Sequence, residues 1–541
     1  MKTRPAKNRQ SIPAPLFLGL DSSTQGLEAT VIDAACRIVA ESAVQFDADL
    51  PAFKTQGGVH RHPDGLTVTS PPLMWVAALD LLLARMKKAK MPLDRIAAIS
   101  GSGQQHGSVY LRPGTDRVLK NLAPARSLAQ QLRDVFSVNA SPIWMDSSTT
   151  RQCQERDAAL GGPQAVAELT GSRSYERFTG NQIAKIVREH PEFYRATERI
   201  ALVSSFMASL LIGDYAPIEP GDGAGMNLMD IRSRRWSKKA LDCTAPGLAA
   251  KLGAIVPSHS IIGILNPYYV ARYGFSPQCR VTAFSGDNPN SLAALGLAQS
   301  GEVAISLGTS DTVFGALSEP RPSATEGHIF GNPINPKGYM ALVCYMNGSL
   351  TRESVRDSFA GRSWKRFEDA LSATRPGNGG KIGFFFKEPE ITPPVRKPGI
   401  FRFGADNRPT DAFRPEENIR AVVEGQFLSM RLHGRNIGLV PKKILATGGA
   451  SVNRSILRVM ADVFGVPVYI GSQANSASLG SAYRTLHGWH CVQARRFLPF
   501  TKVIKPAECF EKTFDPDKTN HRLYTALLVR YAKLERWVTD K

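Results

Sequence analysis

No run of eighteen or more uncharged apolar residues occurs in this 541-residue chain, so no membrane span is expected. Cysteine is sparse: the seven, at 36, 153, 243, 279, 344, 491 and 509, lie scattered and never form a C-x-x-C pair. An odd and widely spaced set predicts reduced thiols in a cytoplasmic protein rather than a disulfide framework. Residues 1–15 carry Lys2, Arg4, Lys7 and Arg9 but no apolar stretch before a cleavage site, so they read as a short basic arm and not as a secretory signal. Familiar phosphate machinery is missing too. The nearest approach to a P-loop is Gly380-Lys381, but residue 375 is Arg and residue 382 is Ile, so the G-x-x-x-x-G-K-[ST] pattern fails. There is no protein-kinase catalytic loop, no D-F-G and no His/Cys metal spacing.

What is present begins with length. Hydrophobic cores stop growing near ~250–300 residues, so 541 residues predict two domains. Hydrophobic residues at 43% and charged residues at 21% are the balance of a globular protein. The net charge of +20 is unusual, and such a surface could serve a polyanion. The basic residues are dispersed, however, and the densest cluster, residues 232–239, holds the single aromatic Trp236. This predicts a solvated basic face, with neither nucleic acid nor membrane as partner.

A strand at 16–20, a Ser/Thr turn and a strand at 28–33 open the chain. A strand at 303–307, a Gly-Thr-Ser-Asp turn and a strand at 312–317 repeat the pattern about half a chain later. Repetition on that scale predicts two similar domains rather than a solenoid. Such turns offer backbone N–H groups and hydroxyls that can converge on phosphate oxygens. Asp21, at the first turn, can hold Mg²⁺, which prefers carboxylate and phosphate oxygen. Helical patterns lie at 72–88, with Trp75, Leu79, Leu82 and Met86 on one stripe, at 290–297 and at 454–464, the last closed by Gly465. Strands alternating with helices predict an α/β fold. Residues 375–409, rich in Pro and Gly, read as a loop-rich insertion.

Three segments carry further chemistry. In Phe284-Ser285-Gly286-Asp287-Asn288-Pro289-Asn290, Pro289 suits a first helical position and Asn288 an N-cap. Asp287 then lies beside a helix N-terminus that favours its ionised form, able to take a proton from an attacking hydroxyl. It reads equally well as a capping residue. Gly101-Ser102-Gly103-Gln104-Gln105-His106-Gly107 has His at the sixth position and no acidic residue on a following strand, so it is not a dinucleotide fingerprint. Gln104, Gln105 and His106 could instead hydrogen-bond a polyol, with a structural histidine as the alternative. In Gly448-Gly449-Ala450-Ser451-Val452-Asn453, small residues between strand and helix let a flat or charged ligand approach the backbone. A second small-residue run, 474–482, suits a helix packed tightly on a sheet or a base.

Together these segments resemble the FGGY family of carbohydrate kinases. Residues 18–24 resemble the first phosphate motif, 305–312 the second, 284–290 the catalytic Gly-Asp-Asn segment and 445–453 the adenosine motif. Residues 104–107, 144–146, 171–182 and 222–236 are similar to the members that phosphorylate xylulose, with another pentulose such as ribulose as the alternative. The resemblance implies two actin-like, RNase-H-like domains facing across a deep cleft, a sugar-binding one at 16–300 and an ATP-binding one at 301–541. It implies ATP and Mg²⁺ as cofactors, a small ketose as substrate, and a monomer or homodimer. By resemblance Asp287 is the general base and a Mg²⁺ ligand with Asp21, while Gln104, Gln105, His106, Arg177 and Asn288 hold the sugar. Ser23, Thr24, Gly308, Thr309 and Ser310 surround the phosphates, Gly448, Gly449 and Asn453 meet the adenosine, and Trp364 lies near the nucleotide. The first turn departs from the common Gly-Thr, reading Ser22-Ser23-Thr24. An actin-like ATPase acting as a chaperone or filament would share the two turns, but it would not need the Gln104–His106 segment together with Asp287-Asn288.

Overall fold

The computed structural model describes residues 14–471, 477–505 and 510–540. The first of two large sheets contains β1 (Leu16–Ser22), β2 (Gly26–Asp33), β3 (Ile38–Gln45), β4 (Ile96–Gly103), β5 (Ile261–Ile264) and β6 (Arg280–Thr282). Their order is β3-β2-β1-β4-β6-β5, and the short pair Ser285–Gly286 extends along the end of β4. The second sheet contains β7 (Glu302–Leu307), β8 (Asp311–Leu317), β9 (His328–Gly331), β10 (Tyr339–Tyr345), β11 (Lys443–Thr447), β12 (Val468–Ile470) and β13 (Glu511–Phe514). Its order is β9-β10-β8-β7-β11-β12-β13. In the first sheet β1, β2 and β3 form an antiparallel meander, and β4 and β6 follow in parallel. In the second, β7, β8 and β10 form the meander, and β11 and β12 follow in parallel. One topology therefore occurs twice, as the two matched turns predict.

Helices α1 (Pro72–Lys88), α2 (Asp287–Ala294), α3 (Pro415–Asn436), α4 (Arg454–Phe464), α5 (Ala477–Gln493) and α6 (Lys518–Thr539) are the ones that matter for the site. The predicted stripe of α1 is buried throughout, and α4 ends at Gly465 in the left-handed conformation, φ 72°. Two expectations fail. Asn288 is not an N-cap: Gly286 takes that position without a side-chain bond, and α2 begins at Asp287. The Asn288 side chain is drawn away to Gln105 and Asp287 instead. Residues 375–409 are not simply loop. Ile382–Phe386 and Gly399–Phe403 pair antiparallel, because the run Ile382-Gly383-Phe384-Phe385-Phe386 is apolar enough to be buried at every position. The last stretch of chain forms α6, which packs on α3 and α4.

Helix α5 follows the whole second sheet except β13, yet it lies on β1 and β4 of the first. The predicted small-residue run accounts for this where it is described; its residues 474–476 lie outside the described residues. A Cβ on Gly19 would stand 2.0 Å from the Ser478 carbonyl oxygen, and one on Gly480 would stand 1.8 Å from that of Asn290. Only glycine allows backbone to approach backbone so closely. Thr30 and Ser478 share a hydroxyl contact of 2.8 Å, and Thr485 donates to the Leu18 carbonyl at 3.1 Å. Because strand side chains alternate between faces, Leu16, Leu18 and Leu20 join one core, with α1. Phe17 and Ile32 face the other way and join the core of the second sheet through Leu479 and Leu486 of α5.

Replacing Gly480 by Val should cost about 1–3 kcal/mol, the usual penalty of overpacking. Denaturant unfolding checks this, and a wild-type value would show that the α5–α2 contact is not tight.

Candidate active site

The parallel strands β1 and β4 end side by side, and polar groups gather there, as is usual at the carboxyl ends of strands in α/β sheets. Asp21, next to the last residue of β1, accepts from the Ser102 hydroxyl at 2.7 Å. The Gln104 amide donates to the Ser22 carbonyl at 2.8 Å, so the Gln104–His106 segment starts beside Asp21. Asp287 enters from α2. Its Oδ1 accepts from the Asn288 amide at 2.9 Å, the Asn288 side chain at 3.1 Å and the Gln105 amide at 3.4 Å. The Asn288 side chain also donates to Gln105 Oε1 at 3.0 Å. The structure thus brings Asp21, Gln104, Gln105, His106, Asp287 and Asn288 together.

These groups are under electrostatic tension. Burial, reinforced by the charge of Asp287, pushes the Asp21 carboxyl up to about 7 against its Ser102 bond. Burial likewise pushes Asp287 up to about 6, opposed by its N–H donors. A divalent cation relieves such a pair. Among the described residues no cluster of three or more His, Cys, Asp or Glu forms a metal cage. Two carboxylates with phosphate and water completing the shell are what Mg²⁺ ordinarily uses, so Asp21 and Asp287 fit that ion. Nearby, the Ser22 hydroxyl and both polar atoms of the Gln104 side chain are buried without a hydrogen-bond partner. Buried polar groups are normally satisfied, and these unmet donors and acceptors are of the kind a polar ligand can satisfy.

His106 adopts φ 71°, rare for a residue with a side chain. Its ring stacks on Phe178 at 4.3 Å, and Nδ1 lies 2.9 Å from the Gly225 carbonyl. Burial, then the charge of Arg177, lowers its pKa to about 3, so the ring is neutral. A carbonyl only accepts, so Nδ1 carries the proton and Nε2 is left as an acceptor for a hydroxyl. Arg177 contributes Nη2 to His328 Nε2 at 2.9 Å and lies over the rings of Tyr175 and Phe178.

On the second sheet a cavity of about 570 Å³ opens at the β7–β8 turn. Gly308, Thr309, Trp364, Gly449 and Asn453 all line it, which brings five of the predicted nucleotide residues together. Trp364 is also stacked by Arg356, 4.7 Å from its ring. Asn453 spends its polar atoms capping α4 at Ile456 and holding Glu368, so it lines the cavity as a fixed wall. Gly448 lies behind, against the Leu307 backbone. Ser310 is outside the lining, exposed beside Met346. Ser23 and Thr24 are elsewhere: the Ser23 hydroxyl closes its own turn on Gly26, and the Thr24 hydroxyl accepts from Trp144 at 2.8 Å.

Sequence reasoning missed several residues. Ser349, Glu353 and Glu368 line the cavity. Asp311 and Arg352, both fully buried, form a bidentate pair at 2.7 and 3.0 Å that anchors the second turn. They stand 41 residues apart, so no local pattern could have joined them. Asp222, pushed by burial up to about 8, bonds Ser204 behind Gln105. It falls within residues 222–236, with Gly221 and Gly223 on either side and no local pattern to mark it.

A doubled α/β sheet, each copy with a polar hairpin turn, defines the actin-like ATPase fold. The FGGY N-terminal carbohydrate-kinase domain matches residues 137–296 and the C-terminal domain residues 303–489. The chain belongs to the FGGY family of carbohydrate kinases. It is 52% identical to a xylulose kinase of Rattus norvegicus, over 97% of each chain. It is 49% identical to xylulose kinase 2 of Arabidopsis thaliana, over 98% of each. The crystal structure of xylulose kinase from Rhodospirillum rubrum matches with a TM-score of 0.80 at 17% identity, covering 97% of this chain and 99% of that one, a likeness of fold.

Replacing His106 by Ala should raise the sugar KM about tenfold, the scale of one lost hydrogen bond in a desolvated site. ATP affinity should hold, because the cavity lined by Gly308 and Trp364 lies on the other sheet. Parallel losses of both affinities would make His106 a structural residue.

Proposed function

We propose that the enzyme transfers the γ-phosphoryl group of ATP to D-xylulose, giving D-xylulose 5-phosphate, with Asp287 as general base. Extensive identity with xylulose kinases along almost the whole chain supports the substrate. The observation that carries the mechanism is the placement of Asp287. Every hydrogen bond it accepts from Asn288 and Gln105 falls on Oδ1. Oδ2 takes none of these bonds, and in this reading it is the oxygen that meets the sugar hydroxyl.

The neutral His106 accepts from one sugar hydroxyl through Nε2, and Gln104 offers an unpaired donor and acceptor to others. Asn288 and Gln105 hold the base in one orientation. As the bond from sugar oxygen to phosphorus forms, the hydroxyl proton passes to Asp287. The nucleotide lies in the cavity of the second sheet, with the base near Trp364 and Gly449 and the phosphates toward Gly308 and Thr309. Mg²⁺, when bound, would be held by Asp21 and Asp287 and would neutralise charge on the phosphates. The free thiols of the described cysteines suit a reducing, cytoplasmic compartment.

ADP release measured over a panel of pentuloses tests the substrate, and a faster rate with ribulose than with xylulose would overturn it. Asp287→Asn keeps size but loses basicity, so kcat should fall by ~10²–10⁴, the usual worth of a general base. Xylulose and ATP should still bind. The pH profile gives an independent check. A base works ionised, and burial raises Asp287 to about 6 without metal, while a bound cation pulls the same carboxyl down. The acid limb of activity should therefore move to lower pH as Mg²⁺ is raised, and a limb indifferent to Mg²⁺ would count against Asp287 as both base and ligand.

A further inference from the structure

His328 lies on β9, at the edge of the second sheet, yet its side chain is buried, 3% exposed, among residues of the sugar side. Arg177 Nη2 is 2.9 Å from His328 Nε2, and Ser172 Oγ is 3.2 Å from His328 Nδ1. A guanidinium only donates. Nε2 must therefore be the unprotonated nitrogen, and Nδ1–H donates to Ser172. One tautomer of a neutral ring satisfies both contacts, and burial together with the charges of Arg177 and Arg173 holds the ring neutral.

The same ring belongs to an aromatic stack. It meets Tyr175 edge-on at 4.8 Å and Phe178 at 5.4 Å, and Phe178 in turn stacks on His106 at 4.3 Å. Next to it the Ile329 amide donates to the Gly171 carbonyl at 2.9 Å, so the backbone of β9 is fastened to the segment that carries Arg177 and Phe178. Strand β9 pairs with β10, and β10 with β8, whose turn opens on the nucleotide cavity.

We infer that His328 is a positioning residue for the sugar site, supplied by the nucleotide-side sheet, which fixes Arg177 by a hydrogen bond and His106 through the Phe178 ring. This rests on the reading that Arg177 and His106 contact the sugar. A core histidine of merely structural use would need no charged partner, and an apolar ring would fill the same space. What only an imidazole of this tautomer supplies is an acceptor for Arg177 and a donor for Ser172 on opposite sides of one flat ring. The sugar-binding groups are thereby set in register with the sheet that holds ATP.

Steady-state kinetics on the full-length enzyme with D-xylulose and ATP test this. His328→Ala should raise the xylulose KM about tenfold, the scale of a lost charged hydrogen bond, while the ATP KM stays within about twofold. His328→Gln, whose side-chain oxygen can still accept from Arg177, should recover most of the loss. In an Arg177→Ala background, His328→Ala should add little, because coupled residues are not additive. A raised KM in Arg177→Ala with an unchanged one in His328→Ala would overturn the positioning role alone. An unchanged KM in Arg177→Ala would instead overturn the placement of Arg177 at the sugar. Additive losses, or a His328→Gln variant as impaired as His328→Ala, would make His328 structural. If His328→Ala melts too low to assay, Ser172→Ala decides in its place: releasing the tautomer should raise the xylulose KM about threefold without moving the ATP KM, and no change would count against the proposal.

Discussion

The arrangement depends on one contact, the seating of α5 on β1 and β4. Gly19 and Gly480 bring backbones together where a single Cβ would intrude. That approach sets Arg484, buried with 1% exposure, against Asn290 at 2.9 Å and the carbonyls of Ser258 and Ala283 at 2.9 and 2.8 Å. Asn290 belongs to α2 and Ala283 to the approach into it, so the arginine holds the segment that delivers Asp287. The same helix links the two cores, because its apolar face completes the layer behind Phe17 and Ile32. Fold and chemistry therefore share one set of contacts. The base is steady because a helix from late in the chain braces the turn that bears it.

Around that base the protein accepts a cost. Asp21, Asp222 and Asp287 stand near one another, all raised by burial, and Glu219 caps Gly221 and Asp222 and accepts from Ser258 and Ser285. Several amide and hydroxyl groups beside them are unpaired. Unmet polar groups of this kind destabilise a fold, and they persist where a ligand satisfies them. The second sheet is organised differently. Its turn is anchored by the buried Asp311–Arg352 pair, while its cavity offers open walls rather than unpaired atoms.

Much of this was legible in the sequence because the signals were local. The doubled turn, the α1 stripe, the Gly465 stop and the small-residue run each report on neighbouring residues, and the structure bears them out. The Gln104–His106 and Asp287-Asn288 segments were legible for the same reason, as polar groups at strand ends. What stayed hidden was long-range. Asn288 left the capping role because Gln105, far away in the chain, competes for its side chain. The Thr24 hydroxyl accepts from Trp144, 120 residues further along the chain. The pairing of Arg177 with His328 crosses between sheets, and nothing near either residue announces it. The strand pair within 375–409 was masked by its flanking Pro and Gly, which outweighed a five-residue apolar run in a composition-based reading.

The seating of α5 also bears on how the chain acquires its structure. A nascent polypeptide emerges from its N-terminus, so β1, β2 and β4 are available long before residues 477–493 exist. Until then one face of the first sheet, including Phe17, has no cover. Contacts of such sequence separation form slowly, and a half-finished sheet with an apolar face is prone to pair with the wrong neighbour. Completion of the first half is therefore tied to the near-completion of synthesis, and the two halves mature as one cooperative unit rather than in turn.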